Sequence, residues 1–246
     1  MSLKTTSQRK LTGSRFNSTN AFAFITLGSV LNLDAGNINS YPGTGTTWYD
    51  VSGNNNNGTL TNGPTFSAGN LGSIVFDGTN DYVTLSPVIQ NFTSFTFLAW
   101  VKPTGNLTSN YNGIIFQGHE SYPPSDSQSF HFYVNTNVGG GYGWGGETRY
   151  AMPISVNNTY MLSVTVTSTQ TIQYINSQIQ STFNYSTVSN FNSTRAFQIG
   201  KSIGYPGFLS TSYFAGNIFN MIVYNRALST NEIQQNYNAT KGRFGL

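Results

Sequence analysis

Two stretches in the first third of the chain combine a turn rich in Asn, Asp and Gly with a short alternating segment. They are residues 48–60 and residues 73–85, and the same combination returns at residues 214–229. The turn residues accept the backbone conformations that tight turns require. Alternation of apolar and polar residues gives a strand one buried and one exposed face. A chain with this pattern is constrained to an antiparallel β fold with short connections.

Strand-like segments recur along the chain at the spacing of a β-sandwich. We predict strands near 22–33, 58–62, 72–77, 81–86, 93–102, 112–117, 129–136, 159–168, 170–176, 178–184, 195–200 and 213–225. The run 159–167 alternates, which predicts one buried and one wet face. The run 94–103 is more continuously apolar, which predicts a central strand with Trp100 in the core, and Trp48 is also predicted to be a core residue. The glycine-rich residues 139–146 are interpreted as part of a loop.

One short helix is predicted near the C-terminus. Ser229 and Glu232 have the spacing of a capping box, and Ile233 and Tyr237 form an apolar stripe behind it. We expect this helix to end near Asn238. In the tail that follows, Phe244 is expected to pack against the sandwich or against a neighbouring subunit.

Charge is sparse and unevenly placed. Charged residues make up 8% of the chain and aromatic residues 15%. Four basic residues, Lys4, Arg9, Lys10 and Arg15, precede the first acid, Asp34, whereas the chain from residue 34 onward carries seven basic and eight acidic residues. We therefore divide the chain into a basic N-terminal arm, 1–20, and one domain, 21–246. The arm suits docking onto an acidic protein surface, and the alternative is a merely solvated terminus.

The near-neutral body argues against nucleic-acid binding. The longest apolar run, residues 21–27, is far shorter than a bilayer span, so we expect no membrane insertion. Cysteine is absent, so stability must come from packing, oligomerisation or bound ions.

Four motifs together resemble the laminin-G-like, concanavalin-A-like jelly roll. They are Asp-x-Ser-Gly-Asn at Asp50, Phe-Asp-Gly-x-Asn-Asp-Tyr-Val at Phe76, Phe-Thr-x-x-Ala-Trp-Val at Phe95, and Tyr-Asn-Arg-Ala-Leu-Ser at Tyr224. This resemblance implies an all-β, two-sheet antiparallel jelly-roll sandwich with one short C-terminal helix and an N-terminal arm. Residues 33–48 and 235–244 further resemble versions of this domain in virion proteins of tailed phages, especially aquatic phages. That resemblance implies a homo-oligomeric protein on the virion surface, in the capsid or the tail.

The resemblance also implies a calcium ion at the rim of the sandwich. In this family an acidic pair often follows the last Gly-x-Ile, but here Phe219 and Asn220 occupy those positions. Asp50, Asp77 and Asp81 remain candidate calcium ligands, because calcium prefers carboxylate and carbonyl oxygens. The alternative is that these aspartates cap the turns in which they lie.

The sequence does not predict an enzyme. Relatives on this scaffold include glucanases with a Glu-x-Asp-x-x-Glu strand, and that motif is absent here. The densest titratable cluster comprises His119, Glu120, Asp126 and His131, and its spacing fits no catalytic or metal-binding motif that we recognise. We interpret it as a loop with solvated carboxylates and one strand histidine. A divergent glycoside hydrolase is the least favoured alternative.

A glycan site is predicted around residues 142–149. Sugar sites need aromatic platforms and polar groups, which Tyr142, Trp144, Glu147 and Arg149 offer, with His119 and Glu120 as an opposite wall. The alternative is that Trp144 packs under a hairpin or at a subunit interface. Two functions remain open: a phage-surface module that binds host glycans or receptors, and a purely structural capsid-decoration or tail protein docked by its arm.

Overall fold

The computed structural model describes residues 23–88, 90–104, 112–117, 130–135, 139–144, 147–184, 196–202 and 212–246. Within these ranges the chain forms eighteen strands and one α-helix, with a short 3-10 turn at Gly69–Leu71 and another at Lys241–Phe244. The strands are β1 Ser29–Asp34, β2 Thr47–Trp48, β3 Gly58–Thr61, β4 Thr65–Ser67, β5 Ser73–Asp77, β6 Tyr82–Leu85, β7 Phe95–Pro103, β8 Asn112–Gln117, β9 Phe130–Asn135, β10 Gly139–Trp144, β11 Glu147–Met152, β12 Tyr160–Val166, β13 Gln170–Ile175, β14 Gln178–Asn184, β15 Phe197–Ile199, β16 Lys201–Ser202, β17 Ser212–Tyr213 and β18 Ala215–Tyr224. The helix, α1, spans Thr230–Thr240.

The described strands form two large antiparallel sheets and one small one. The first sheet has the order β14-β13-β12-β7-β18-β5-β4, and β1 also pairs with β18. The second sheet has the order β11-β10-β9-β8-β15-β6-β3-β2, and β16 pairs with β17 alone. Long strand β18 organises the first sheet, because β7 pairs along one edge while β5 and β1 share the other edge end to end. The predicted fold class, an all-β two-sheet jelly-roll sandwich with one short C-terminal helix, is confirmed.

The main core lies between the inner faces of the two sheets. Phe97 of β7 and Phe132 of β9 meet across it, with ring centroids 5.0 Å apart. Trp48, predicted to be a core residue, is fully buried in the same cluster. Apolar burial of this kind is the main force that holds two sheets face to face.

A second core covers the outer face of the first sheet. Trp100 is fully buried there; its ring stacks on Phe244 at 4.2 Å between centroids, and its Nε1–H donates to Thr240 Oγ1 at 2.9 Å. Tyr224 of β18 and Ile233 of α1 belong to the same cluster. The sandwich therefore has three layers, and the predictions that Trp100 is a core residue and that Phe244 packs against the sandwich are confirmed.

This third layer overturns one prediction about strand faces. The run 159–167 was expected to have a wet face, but in β12 both Ser163 and Thr165 are buried. The reason is that α1 packs over this side of the sheet: the hydroxyls of Tyr174, which pairs with Ser163, and Thr230 lie 3.2 Å apart. Alternation alone predicts that this face of β12 is exposed to solvent, but the helix that packs on it buries it.

The helix begins as predicted. Ser229 caps it, since its hydroxyl accepts the Glu232 N–H while the Glu232 carboxylate accepts the Ser229 N–H at 2.9 Å. The helix continues two residues beyond the expected Asn238, to Thr240, and the Thr240 hydroxyl donates to the Asn236 carbonyl within the last turn.

The first predicted strand begins later than expected. Strand β1 starts at Ser29, whereas residues 23–28 form an irregular segment that lies against α1. Ile25 N–H donates to Asn236 Oδ1 at 2.8 Å, and the Tyr224 hydroxyl donates to the Ile25 carbonyl at 2.8 Å. These long-range hydrogen bonds, which local sequence does not encode, hold the segment out of the sheet.

The glycine-rich residues also differ from expectation. Residues 139–144 were interpreted as a loop but form β10, which pairs with β9 on one edge and β11 on the other. Glycine is unfavourable in strands because it loses more backbone entropy than other residues. Here pairing with a strand on each edge holds the glycines extended, although the ladder with β11 has a bulge between Gly140 and Gly141. Elsewhere turn chemistry is as predicted: Asn62 and Gly63 both have positive φ, as does Gly78.

None of the described helices is long and apolar enough to cross a membrane.

Candidate functional site

Asp50, a predicted calcium ligand, closes the turn in which it lies. Its Oδ1 accepts the Asn32 and Ser52 N–H groups at 2.8 and 2.9 Å. Its Oδ2 accepts the Ser52 hydroxyl and the Asn56 N–H at 2.8 and 3.0 Å. Because four donors already use this buried carboxylate, it serves the loop itself and ties that loop to β1.

Asp77 and Asp81 share a second turn. Asp77 Oδ1 accepts the Thr79 N–H at 2.7 Å and the Asn80 N–H at 3.3 Å, and Asp81 Oδ2 accepts the Asp77 N–H at 3.0 Å. The amide of Thr79 lowers the pKa of Asp77, whereas burial raises the pKa of Asp81. The two pKa values shift in opposite directions because Asp77 is the exposed acid of this Asx turn and Asp81 is the buried one.

The three aspartates do not converge. Asp50 follows the end of β2, where Trp48 pairs with Gly58, whereas Asp81 precedes β6, where Tyr82 pairs with Thr61. Gly58 and Thr61 are the two ends of β3, so these positions are about 10 Å apart at roughly 3.3 Å per residue. Among the described residues, no group of three or more His, Cys, Asp or Glu side chains is placed to hold a metal ion. Asp50, Asp77 and Asp81 therefore do not form one such group, and calcium binding by any of them remains a prediction.

The positions that carry the acidic pair in the resembled family have a packing role here. Phe219 packs edge-on against Phe244, with centroids 4.9 Å apart. Asn220 lies at a bulge in β18, and its Oδ1 accepts the Trp100 N–H at 3.1 Å. Phe219 therefore stabilises the contact between the first sheet and the C-terminal segment, and Asn220 stabilises the pairing of β18 with β7.

The predicted glycan-binding positions in the β10–β11 hairpin lie together, but on the inner face. They form two cross-strand pairs: Tyr142 with Arg149, and Trp144 with Glu147. Directly paired residues of antiparallel strands share a face. On the other edge of β10, Tyr142 pairs with Phe132, which is buried between the sheets. The register thus assigns all four positions to the side of the second sheet that faces the first.

The alternative given for Trp144, in which it packs under a hairpin or at a subunit interface, also remains open. Binding of a glycan by Tyr142, Trp144, Glu147 and Arg149 remains a prediction that no observation tests. His119, Glu120 and Asp126 lie outside the described residues, and so do Lys4, Arg9, Lys10 and Arg15 of the arm. His131 lies in β9, paired with Gly143.

The outer face of the second sheet is a different kind of surface from the outer face of the first. On β3 and β6 the inward positions Leu60, Val83 and Leu85 are buried, whereas the outward positions Thr59 and Thr84 are exposed and half-buried. No described helix packs on this side. Alternation and register assign a set of polar and aromatic positions to this face: Thr59, Thr61, Tyr82, Thr84, Phe116, His131, Tyr133, Thr148, Tyr150 and Gln198.

Gln198 stands at the centre of this face. It pairs with Thr84 on one side and with Phe116 on the other. Gln198 is 9% exposed, and its Oε1 atom is buried without a hydrogen-bond partner among the described residues. Leaving a buried acceptor unsatisfied costs about 1–3 kcal/mol, and an atom of this kind in a native protein calls for an explanation.

A cation and an aromatic ring lie beside Gln198 on the same face. Lys201 Nζ is 4.7 Å from the centroid of the Tyr82 ring, within the range of a cation–π interaction. The half-buried Tyr82 precedes Thr84 by two residues, so both lie on the outer face. The described part of this surface thus offers an aromatic ring, an ammonium group, a hydroxyl and an amide within a few strand positions.

Sequence reasoning missed this surface, although part of the signal was present. The segments 82–85 and 197–199 alternate in the register that places Thr84 and Gln198 opposite the core. What the sequence did not show is that β6, β15 and β8 are neighbours, since these strands are far apart along the chain.

Comparison with known proteins agrees with this architecture. Residues 77–234, more than half of the chain, match the family model Laminin_G_3, described as the concanavalin A-like lectin/glucanases superfamily. The chain belongs to this family. No curated protein sequence is similar enough to count as a match.

Three solved structures illustrate the breadth of the fold. Domain 4 of AbnA, a GH43 extracellular arabinanase from Geobacillus stearothermophilus in complex with arabinotriose, is 14% identical with a TM-score of 0.64, over 85% of this chain and 98% of that one. A Trypanosoma rangeli sialidase mutant displaying trans-sialidase activity is 16% identical with a TM-score of 0.65, over 90% of this chain and 34% of that one. The binding domain of botulinum neurotoxin DC in complex with rat synaptotagmin II is 13% identical with a TM-score of 0.66, over 88% and 52%. The chain thus spans about a third of the sialidase and about half of the toxin fragment. At these identities the likeness shows the fold alone.

Proposed function

We propose that this protein is a non-enzymatic, lectin-like module on the surface of a phage virion that binds glycans of the host through the outer face of the second sheet. The observation that carries the proposal is Gln198, whose buried Oε1 lacks a partner among the described residues at the centre of a face with polar and aromatic positions. Sugar recognition requires such a combination, with aromatic rings for the apolar faces of a sugar and amides or hydroxyls for its hydroxyl groups.

Two further points support a glycan as the ligand. Domain 4 of the arabinanase, which has a similar fold, was solved in complex with arabinotriose, an oligosaccharide. In addition, the described acids provide no pair suited to glycoside hydrolysis, since Asp77 and Asp81 are engaged in one turn. Binding without catalysis is therefore the function that this surface supports best.

The proposal predicts a specific effect for Gln198→Met. Methionine is similar in size, and it removes the buried acceptor, so the free energy of unfolding is expected to stay constant or rise. If a sugar hydroxyl donates to Oε1, binding weakens about tenfold, which corresponds to about 1.4 kcal/mol. Gln180→Met is the matched control, because Gln180 is exposed on β14 of the other sheet.

The test is a glycan-binding screen of the purified, folded protein and both variants, run with calcium and again with a chelator. Binding by the wild-type protein and the control, weakened only in Gln198→Met, supports the proposal. Binding that disappears with the chelator would revive a calcium site built from residues other than the three aspartates together. No binding by a folded wild-type protein, or full binding by Gln198→Met, would contradict the proposal.

A structural role for the arm is the second candidate. Residues 23–28 form hydrogen bonds with α1; for example, Gln235 Nε2 donates to the Ala23 carbonyl at 2.5 Å. Residue 23 therefore lies on the helix side of the sandwich, opposite the outer face of the second sheet. A capsid or tail protein docked by Lys4, Arg9, Lys10 and Arg15 is compatible with the same sandwich, and assembly as a homo-oligomer is compatible with both roles. Deletion of residues 1–20 tests this: lost virion incorporation supports docking, and unchanged incorporation contradicts it.

A further inference from the structure

The strands at the ends of the two large sheets differ in how well their outer edges are protected. Strands β2 and β4 are two and three residues long, which is too short to hold an added strand firmly. Strand β11 carries Glu147 and Arg149, and charged residues protect an edge. Strand β14 has seven residues, none of them charged and none of them proline. Among the described edges, β14 is therefore the one least protected against strand addition.

The edge of β1 shows how this fold protects a strand elsewhere. Val51 N–H donates to the Asn32 carbonyl at 2.9 Å, and Asn32 N–H donates to Asp50 Oδ1 at 2.8 Å. The loop after β2 thus takes the place of a partner strand. Within the described ranges, β14 pairs with β13 alone, and four of its side chains are exposed on alternate residues: Gln178, Gln180, Thr182 and Asn184. The other edge of β14 is left to a further strand.

Only part of β14 is regular enough to form a second ladder. Its register with β13 shifts so that Gln173 pairs with Ser181 and Tyr174 with Ile179, which leaves Gln180 as a bulge. Residues 181–184 then pair with β13 one for one. The exposed Thr182 lies within this stretch and shares the outer face of the sheet with its partner Ile172. A further strand is expected to pair along residues 181–184.

The composition of β14 selects a second β14 as that strand. Because β14 has no charged side chain, two copies laid antiparallel bring no like charges together. Thr opposite Thr is a favourable cross-strand pair. A contact about a two-fold axis uses the same surface on both copies, so the chain supplies both halves of the contact and closes the edge. The net charge of the whole chain is only +3, so repulsion between copies is weak.

We propose that the outer edge of β14 binds a second copy of this chain, with Thr182 opposite Thr182 of the second copy across a two-fold axis. The two first sheets then form one continuous antiparallel sheet. This surface is distinct from the face around Gln198, so the inference goes beyond the proposed function and does not depend on it. A contact made mainly by one strand is smaller than the standard interface of about 1,600 Å². We therefore expect a dissociation constant in the micromolar range.

The symmetry of this contact has a consequence for the outer faces. Antiparallel strands that continue one sheet are related by a two-fold axis perpendicular to that sheet. Such an axis leaves both copies with the same side up, so the outer faces of both second sheets lie on one side of the dimer and both α1 helices lie on the other. If the proposed function holds, the two Gln198 faces meet one host surface together, which raises avidity without a new contact.

A charge placed at the centre of the contact tests the proposal. Thr182→Lys puts two ammonium groups opposite each other, and lysine is a residue that natural edges use against pairing. Sedimentation equilibrium of the full chain over a concentration series should show a dimer whose dissociation constant rises about tenfold in this variant, or about 1.4 kcal/mol. Thr65→Lys is the matched control, because Thr65 is exposed on β4 at another edge of the same sheet. It should leave the dissociation constant unchanged.

A cross-link tests the register independently of stability. The chain has no cysteine, so a single introduced cysteine can form a disulfide only between copies. Directly opposed residues of antiparallel strands have Cα atoms about 4.5–5.5 Å apart, which is within the range for a disulfide. Under mild oxidation, Thr182→Cys should therefore become a covalent dimer far faster than Thr65→Cys at the same concentration.

Three results would overturn the inference. The first is wild-type protein that stays monomeric up to high micromolar concentration. The second is a dimer that Thr182→Lys leaves intact or that Thr65→Lys weakens equally. The third is equal cross-linking of the two cysteine variants, which is the deciding measurement should Thr182→Lys fail to fold. None of these results bears on glycan binding, so the proposed function would stand or fall by its own test.

Discussion

Arg243 fixes the C-terminal segment to the sandwich through a buried set of charged hydrogen bonds. Its side chain is 3% exposed, and its Nη1 donates to Asp34 Oδ1 at 2.7 Å. Its Nε and Nη2 donate to the carbonyls of Asn70 and Gly72 at 2.7 and 2.6 Å. One guanidinium thus joins the 3-10 turn at Lys241–Phe244 to β1 and to the loop before β5.

Replacement of Arg243 by Ala should therefore be costly. It leaves two carbonyls and the Asp34 carboxylate without these donors. Removal of one partner from a buried ion pair costs about 3–5 kcal/mol. Because the Asp34 side chain is 19% exposed and also accepts the Gly36 N–H, we take the lower end. The expected loss in the free energy of unfolding is about 3 kcal/mol.

Urea denaturation followed by fluorescence measures this loss. With a slope near 3 kcal/mol/M for a chain of this size, the midpoint should fall by about 1 M. Lys241→Ala is the matched control, since Lys241 lies in the same turn and its side chain makes, within the described part of the chain, only a cation–π contact with Tyr237, at 5.4 Å. This variant should cost below about 1 kcal/mol. Equal midpoints for the two variants would refute the reasoning that Arg243 is the anchor.

Two further predictions concern acids of the described structure. The pKa of Glu232 is lowered to about 2 by its hydrogen bonds with Arg226. Because the pKa of Glu232 is lower in the folded state than in the unfolded state, this pair stabilises the fold fully above pH of about 4.5. The contribution, about 1 kcal/mol for a partly exposed pair, is lost as the pH falls toward 2. Glu232→Gln should flatten that part of a plot of unfolding free energy against pH, and an unchanged plot would contradict the role given to this pair. Asp50→Ala should lower the free energy of unfolding by about 3 kcal/mol, because the carboxylate's hydrogen bonds are lost. The drop in melting temperature should be the same in calcium and in a chelator. A drop seen only with calcium would show that Asp50 binds the ion.

Much of the fold was readable because local chemistry and tertiary structure agree. The alternating strand around Val83, the turn at Asn62 and Gly63, and the capping box at Ser229 each encode their conformation within a few residues. Such agreement across levels is what makes a strand or a cap predictable from sequence.

Other features depend on contacts between distant parts of the chain. Ser163 is buried because α1, some 70 residues later, covers its strand. Residues 139–144 form a strand because two partner strands hold the glycines extended. Gln198 could not be recognised as a site residue until β6, β15 and β8 were known to be neighbours. In each case the decisive partner is remote in sequence.

The two outer faces of the sandwich differ in what lies on them, and the proposed function depends on this difference. The first sheet uses its outer face for packing against α1 and the C-terminal turn, with Trp100 at the centre. The second sheet presents polar positions around Gln198 on its outer face. The central claim is that ligand binds only to the second of these surfaces.

The most direct test is an NMR titration of the isotope-labelled protein with the best oligosaccharide from the screen, followed through the backbone amides. The account predicts that the amides of Thr84, Gln198 and their neighbours on β8, β9 and β10 shift, while those of α1 and of the Asp50 turn do not. Shifts confined to the Asp50 or Asp77 turns, or to the helix side, would place the ligand elsewhere and contradict the account.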